Sequence, residues 1–193
     1  MRGAVWPRDD RRRAGVERRV AGIIERVRIG GDRALRALTR RLDGAGRLSI
    51  EVPASERVAG ARRVAPDARA ALRLAARRIA AFARRQKRSL RPFRHAEGGI
   101  VLEQRIVPIE RAGVYAPGGR HPLASSVLMG ALPARIAGCR EVILCTPPRR
   151  DGTIAPETLA AASEAGVDRI FAVGGAQAIA SMALARGRSR RSI

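Results

Sequence analysis

The chain has 193 residues, enough for one good-sized domain or two small ones, and its 46% hydrophobic content can supply a core that buries roughly 70% of the unfolded surface. The formal charge is +22, yet Lys87 is the single lysine beside 38 arginines, the basic residues are scattered along helical patterns, and three Phe, one Tyr and one Trp offer little to stack on bases; this argues against specific nucleic-acid binding and leaves only salt-sensitive adhesion to polyanions. No run approaches the roughly 20 apolar residues of a bilayer span, and the opening MRGAVWPRDDRRR lacks the apolar stretch of a signal peptide, so no membrane partner is expected and the expected location is the cytoplasm.

The predicted elements begin with a helix over 16–28, where Val16, Val20, Ile23, Ile24 and Val27 recur at helical spacing. Gly30-Gly31 ends it, and Asp32 caps a second helix that carries Leu35, Leu38 and Leu42 on one stripe. A further helix over 66–90 carries Leu72, Ala75, Ile79 and Phe82. Between 99 and 108 the pattern becomes extended, with Ile100, Leu102 and Ile106 on one face, and a new unit starts with the glycine-bearing segment 113–119. Residues 125–138 are helical despite Pro133, which removes a backbone donor and is expected to kink or split the helix. EVILC at 141–145 is a buried strand, Pro156 heads the next helix, Gly166 ends it, and a strand over 169–173 follows. The order βαβα implies parallel strands joined by right-handed crossovers. The expectation is therefore an α/β chain: a helical part over 1–110, then over 111–193 the start of an incomplete doubly wound, Rossmann-like sheet with an open edge.

Two glycine pairs, Gly118-Gly119 and Gly174-Gly175, fall where a strand gives way to a helix. A helix start carries free N–H groups and the positive end of its dipole, so phosphate is stabilised there when glycine permits a close approach. Neither pair is a G-x-G-x-x-G run, so a dinucleotide site and an ordinary βα connection both stand open on spacing. Tyr115 beside the first pair offers a flat ring and a hydroxyl, and Gln177 in the first turn after the second offers an amide; the plainer alternatives are a half-buried strand aromatic and a solvated helix start. Cys139 and Cys145 suit neither a C-x-x-C motif nor a disulfide framework and are expected as buried free thiols. With His95 and His121 they fit no closed tetrahedral metal pattern. His95 is expected in solvent, His121 is an outside candidate for the crevice, and no carboxylate pair is spaced for acid/base work.

Four segments together, GVYAPGG at 113–119, SSVLMGALPARIAG at 125–138, Thr146-Pro147-Pro148 with Asp151-Gly152, and VGGAQAIA at 173–180, strongly resemble histidinol dehydrogenase. Upstream, VRIGGDRALRALTRRLDG and IAAFARRQK extend the likeness, which runs over 16–184. The resemblance implies two successive NAD-dependent oxidations that convert L-histidinol to L-histidine through an aldehyde, a bound zinc ion, a glutamate and histidine acid/base pair, and a homodimer. It also implies that Tyr115 and Gln177 contact NAD. The family's zinc ligands and acid/base pair are expected beyond residue 193, so no catalytic or metal residue is assigned here. After Leu184 the likeness stops and the chain runs out as ARGRSRRSI. The expectation is an amino-terminal portion, cut by truncation or frameshift and inactive alone. The alternative is a non-catalytic remnant, or half of a split enzyme, that binds a partner chain or a polyanion.

Overall fold

In a computed structural model, which describes residues 10–44, 46–47, 49–118 and 122–184, the chain opens with a long helix, α1 (Asp10–Asp43). Gly31 interrupts it with φ 50° and ψ −137°, a region that glycine enters without a Cβ clash, so the two helical segments read from the sequence are joined across a bend. Ile23, Val27, Leu35 and Leu38 are buried, whereas Val16 and Leu42, expected on the same stripes, are exposed. Two helices follow, α2 (Ala54–Arg62) and α3 (Pro66–Ser89), the latter opening on a proline whose missing N–H has no partner to lose there. The buried face of α3 is the small-residue stripe Ala76, Ala80 and Ala83, and Phe82, expected inside, is 67% exposed. Alanines at this spacing let α3 lie close against its neighbour, and a phenylalanine there would hold it off.

The extended stretch proves to be a hairpin. Strand β1 (Phe93–Glu97) pairs antiparallel with β2 (Ile100–Gln104) around Gly98 and Gly99, both at positive φ, as a two-residue turn requires. All ten strand residues are exposed, and the register sets Phe93, Leu102 and Ile100 on one uncovered face.

The sheet consists of β3 (Arg111–Tyr115), β4 (Glu141–Thr146) and β5 (Arg169–Ala172), parallel and in the spatial order β3-β4-β5. The crossovers are α4 (Ala124–Ala137) and α5 (Pro156–Glu164), and β5 leads into α6 (Gly175–Leu184). Alternation along each strand sorts the core into two layers. Val114, Val142, Leu144, Ile170 and Ala172 pack with α4 and α5, and Ile143, Cys145, Phe171 and Val173 pack with α1 and α6. Helices therefore cover both faces, which makes this the incomplete doubly wound, Rossmann-like arrangement the sequence implied.

Pro133 does not split α4. The carbonyl deprived of its donor is that of Met129, which is 65% exposed and so lies where water can serve it. Gly138 closes α4 at φ 111°, and Arg135 ties its end to the turn before β5 by donating to the Gly166 carbonyl and pairing with Asp168. The outer edge of β5 is covered by the segment around Glu51, through Val52 N–H to the Ile170 carbonyl at 2.8 Å and Ala172 N–H to the Ile50 carbonyl at 2.7 Å. Among the described residues β3 has β4 as its only strand partner, so the open edge is that of β3.

Candidate functional site

In an open α/β sheet, ligands settle at the carboxyl ends of the strands, where the connecting turns leave backbone groups unspent. Here those ends are the turn from Tyr115 to Gly118, the turn beginning Thr146-Pro147-Pro148, and Gly174-Gly175. Both glycine turns singled out in the sequence converge on Pro147. A Cβ on Gly118 would stand 2.7 Å from Pro147 Cγ, and one on Gly174 would stand 2.6 Å from Pro147 Cβ. Glycine is required at these two positions for room. Gly175 is different: its φ of 61° is the left-handed conformation, and a Cβ would stand 2.8 Å from Gln177 Oε1.

Tyr115 ends β3, with its ring packed against the cluster that contains Cys145 and Phe171. Its hydroxyl oxygen accepts a hydrogen bond from the Gly175 N–H at 3.1 Å. This bond crosses 60 residues of sequence and joins the two nominated cofactor residues, because Gln177 is two positions further on in the first turn of α6. Tyr115 is thus the half-buried strand aromatic of the plainer reading, with its hydroxyl set on the Gly174-Gly175 turn. Gln177 is not the solvated helix start: it is 1% exposed, and its Oε1 is buried without a hydrogen-bond partner. A buried amide oxygen left without a donor is costly and uncommon in native structures.

One residue that the sequence reading gave no role stands beside them. Asp43, the last residue of α1, sets its carboxylate against Gly174, whose N–H hydrogen-bonds to it, while its Oδ2 is buried with no partner. Burial raises the pKa of this carboxyl above the ordinary range, and the Gly174 bond offsets that only in part. Asp43, Gly118, Thr146, Pro147 and Arg149 line a cleft of about 540 Å³. The signal available in the sequence was an acidic residue in the last turn of a helix, where the dipole disfavours it.

These contacts change the reading of the second glycine pair. The N–H groups of Gly174 and Gly175, expected to face phosphate, are engaged by Asp43 and Tyr115. A carboxylate already holds the start of α6, so a phosphate there would meet both occupied donors and a like charge.

Gly119 and His121 lie outside the described residues. His95 is on the exposed hairpin, 3.3 Å from Glu97 Oε2. Cys139 and Cys145 are buried and unpaired, and burial pushes the Cys145 thiol up to about 12, which keeps it protonated and unreactive. Among the described residues no group of three or more His, Cys, Asp or Glu is placed to hold a metal ion, and no helix is long and apolar enough to cross a membrane.

Comparison with known proteins bears on the site. A family model described as histidinol dehydrogenase matches residues 7–191. The chain is 51% identical over 164 residues to a histidinol dehydrogenase of Xylella fastidiosa strain 9a5c, covering 85% of this chain and 38% of that protein. It is 46% identical over 183 residues to one from Syntrophotalea carbinolica, covering 94% and 42%. The crystal structure of histidinol dehydrogenase from Elizabethkingia anophelis superposes with a TM-score of 0.84 at 31% identity, over 100% of this chain and 42% of that one. The chain thus spans about two fifths of the length of the relatives it matches.

Proposed function

Since the chain belongs to the histidinol dehydrogenase family, we propose that it carries the cofactor-facing part of an NAD-dependent oxidoreductase, with Tyr115 and Gln177 contacting NAD. The observation that carries this reading is the hydrogen bond from Gly175 to the Tyr115 hydroxyl, which brings both residues to the carboxyl ends of one parallel sheet. The residues present suit the cofactor. Gln177 Oε1 needs a donor, Tyr115 offers an edge and a hydroxyl, and Gly118 keeps the floor of the cleft free of a side chain. When bound, NAD supplies the hydride acceptor for an alcohol carbon. The chain's own part is to bind and orient it: Tyr115 fixes the Gly174-Gly175 turn, and α6 holds the Gln177 amide beneath it.

For the whole enzyme we read the reaction as two-step oxidation of L-histidinol to L-histidine through the aldehyde, by a cytoplasmic homodimer that uses zinc. The residues described here do not fit zinc, so no step is derived through it. We further read this chain as the amino-terminal portion of that enzyme, without turnover of its own. The described histidine, His95, sits on the hairpin, and among the described residues no glutamate and histidine pair stands beside Tyr115 and Gln177. Affinity for NAD is expected to be weaker than millimolar, where binding is worth about 4 kcal/mol.

A second reading, in which this chain docks with a separately made remainder of the enzyme, is favoured by two surfaces: the unpaired edge of β3, and the uncovered hairpin face of Phe93, Ile100 and Leu102. One experiment addresses both. The purified chain is assayed for NADH formation from histidinol, alone and after co-expression with the remaining carboxy-terminal portion of the Xylella relative, and NAD binding is followed at the Gly175 amide by NMR. A Gly175 shift, no turnover alone and turnover on co-expression support the proposal. NADH formed by the chain alone and abolished by a chelator would overturn the claim of inactivity, and a Gly175 amide that ignores NAD would overturn the cofactor role.

A further inference from the structure

In dinucleotide-binding sheets a glycine turn follows the first strand, and a carboxylate at the end of the second strand takes the hydroxyls of a ribose. The first strand here is β3, whose turn reaches Gly118, and the second is β4. Strand β4 ends in Thr146-Pro147-Pro148, with no acid. Beside Pro147 stands Asp43, brought in from the far end of α1: a Cβ on Gly174 would lie 2.6 Å from Pro147 Cβ and 3.3 Å from Asp43 Oδ1. The carboxylate and the end of β4 thus flank the same glycine and line the same cleft.

Resting on the nucleotide reading of this cleft, we propose that Asp43 is its ribose-binding carboxylate, accepting hydrogen bonds from a vicinal diol of the ligand, and that it keeps phosphate off the Gly174-Gly175 turn. Three observations support the assignment besides position. Oδ2 has no hydrogen-bond partner among the described residues, so the carboxylate keeps accepting capacity that a hydroxyl can use and a phosphate oxygen cannot. An aspartate at a helix carboxyl end opposes the dipole, so a purely structural role would be met at lower cost by asparagine. Arg149 and Arg150 also line the cleft and offer the ligand's anionic groups a place away from Asp43.

The test follows the backbone amides of Gly118, Thr146 and Gly174 by NMR while the protein is titrated with NAD, adenosine, 2′,3′-dideoxyadenosine and inorganic phosphate. We expect NAD and adenosine to shift these amides, dideoxyadenosine to bind about tenfold more weakly, as loss of a hydrogen bond to a charged acceptor implies, and phosphate to leave Gly174 unmoved. In Asp43→Ala the preference for adenosine disappears. In Asp43→Asn, which keeps the shape and the Gly174 bond but removes the charge, the preference shrinks; this variant decides the matter if the alanine form does not fold. Equal binding of adenosine and its dideoxy form to the wild type, or a preference that survives both substitutions, overturns the role of Asp43 and leaves the nucleotide reading standing. Cleft amides that ignore both NAD and adenosine overturn the nucleotide reading, and this proposal with it.

Discussion

Replacing Tyr115 with Phe removes one oxygen and nothing else, so its effect isolates the bond that joins the two cofactor residues. The Gly175 N–H loses its acceptor at 3.1 Å, while the ring keeps its place against Cys145 and Phe171. A neutral hydrogen bond of this kind is worth about 1 kcal/mol net, and the site is open enough for water to recover part of that. In a domain of this size 1 kcal/mol corresponds to a fall in Tm of about 2–4 °C. Tyr115→Ala also forfeits the ring. A fully buried aromatic would cost about 3–5 kcal/mol, and a half-buried one should cost roughly half of that, so the alanine variant is expected to fall about twice as far as the phenylalanine variant. Thermal unfolding measures both. Hydrogen exchange at the Gly175 amide measures the local part, which should accelerate about fivefold in Tyr115→Phe if the bond is worth 1 kcal/mol. Unchanged exchange at Gly175, or equal destabilisation by Phe and Ala, would refute the claim that the hydroxyl is what holds the turn.

Three further outcomes are expected. Gly175→Ala forces a Cβ into the left-handed region at a cost of about 1 kcal/mol, and presses on Gln177 Oε1, so it should destabilise by more than that; adding Gln177→Ala recovers only the steric share, as a double-mutant cycle in urea would show. For Asp43 the sign follows from burial: its folded pKa is raised, so its stabilising contribution is complete below the ordinary carboxylate pKa and is lost as pH rises through the folded value. Asp43→Asn should therefore gain stability relative to wild type as pH rises above the ordinary carboxylate pKa, with Arg149 and Arg150 present in both proteins, and a pH-independent difference in urea midpoints would contradict this. With its pKa pushed up to about 12, Cys145 should have roughly one thiol in ten thousand ionised at pH 8, so iodoacetamide should leave it unmodified by mass spectrometry until denaturant is added.

What the sequence revealed and what it hid divide along a physical line. Elements announced by local chemistry were legible: the glycine bend within α1, the proline that opens α5, the glycine that ends it, and the apolar runs of β4 and β5. The first hairpin strand was not, because FRHAE is exposed on both sides and has no alternation to read; its pairing is set by Gly98 and Gly99. Phe82 was misplaced because the buried side of α3 is chosen by how closely its alanines allow a neighbour to approach, which periodicity does not weigh.

The same limit governs the site. Tyr115 and Gln177 were named through family resemblance, but their link passes through the Gly175 backbone, which no side-chain pattern encodes. Asp43 stayed without a role because its position depends on where α1, bent at Gly31, sets down its last turn. The glycine pairs failed the fingerprint spacing, and yet both turns matter, since Gly118 and Gly174 must lack a Cβ for two loops to meet at one proline. A motif search scores glycines by their spacing along a single turn. Here the requirement arises between turns, from the width of Pro147, and it would be met by glycine at any spacing that brings the two loops together.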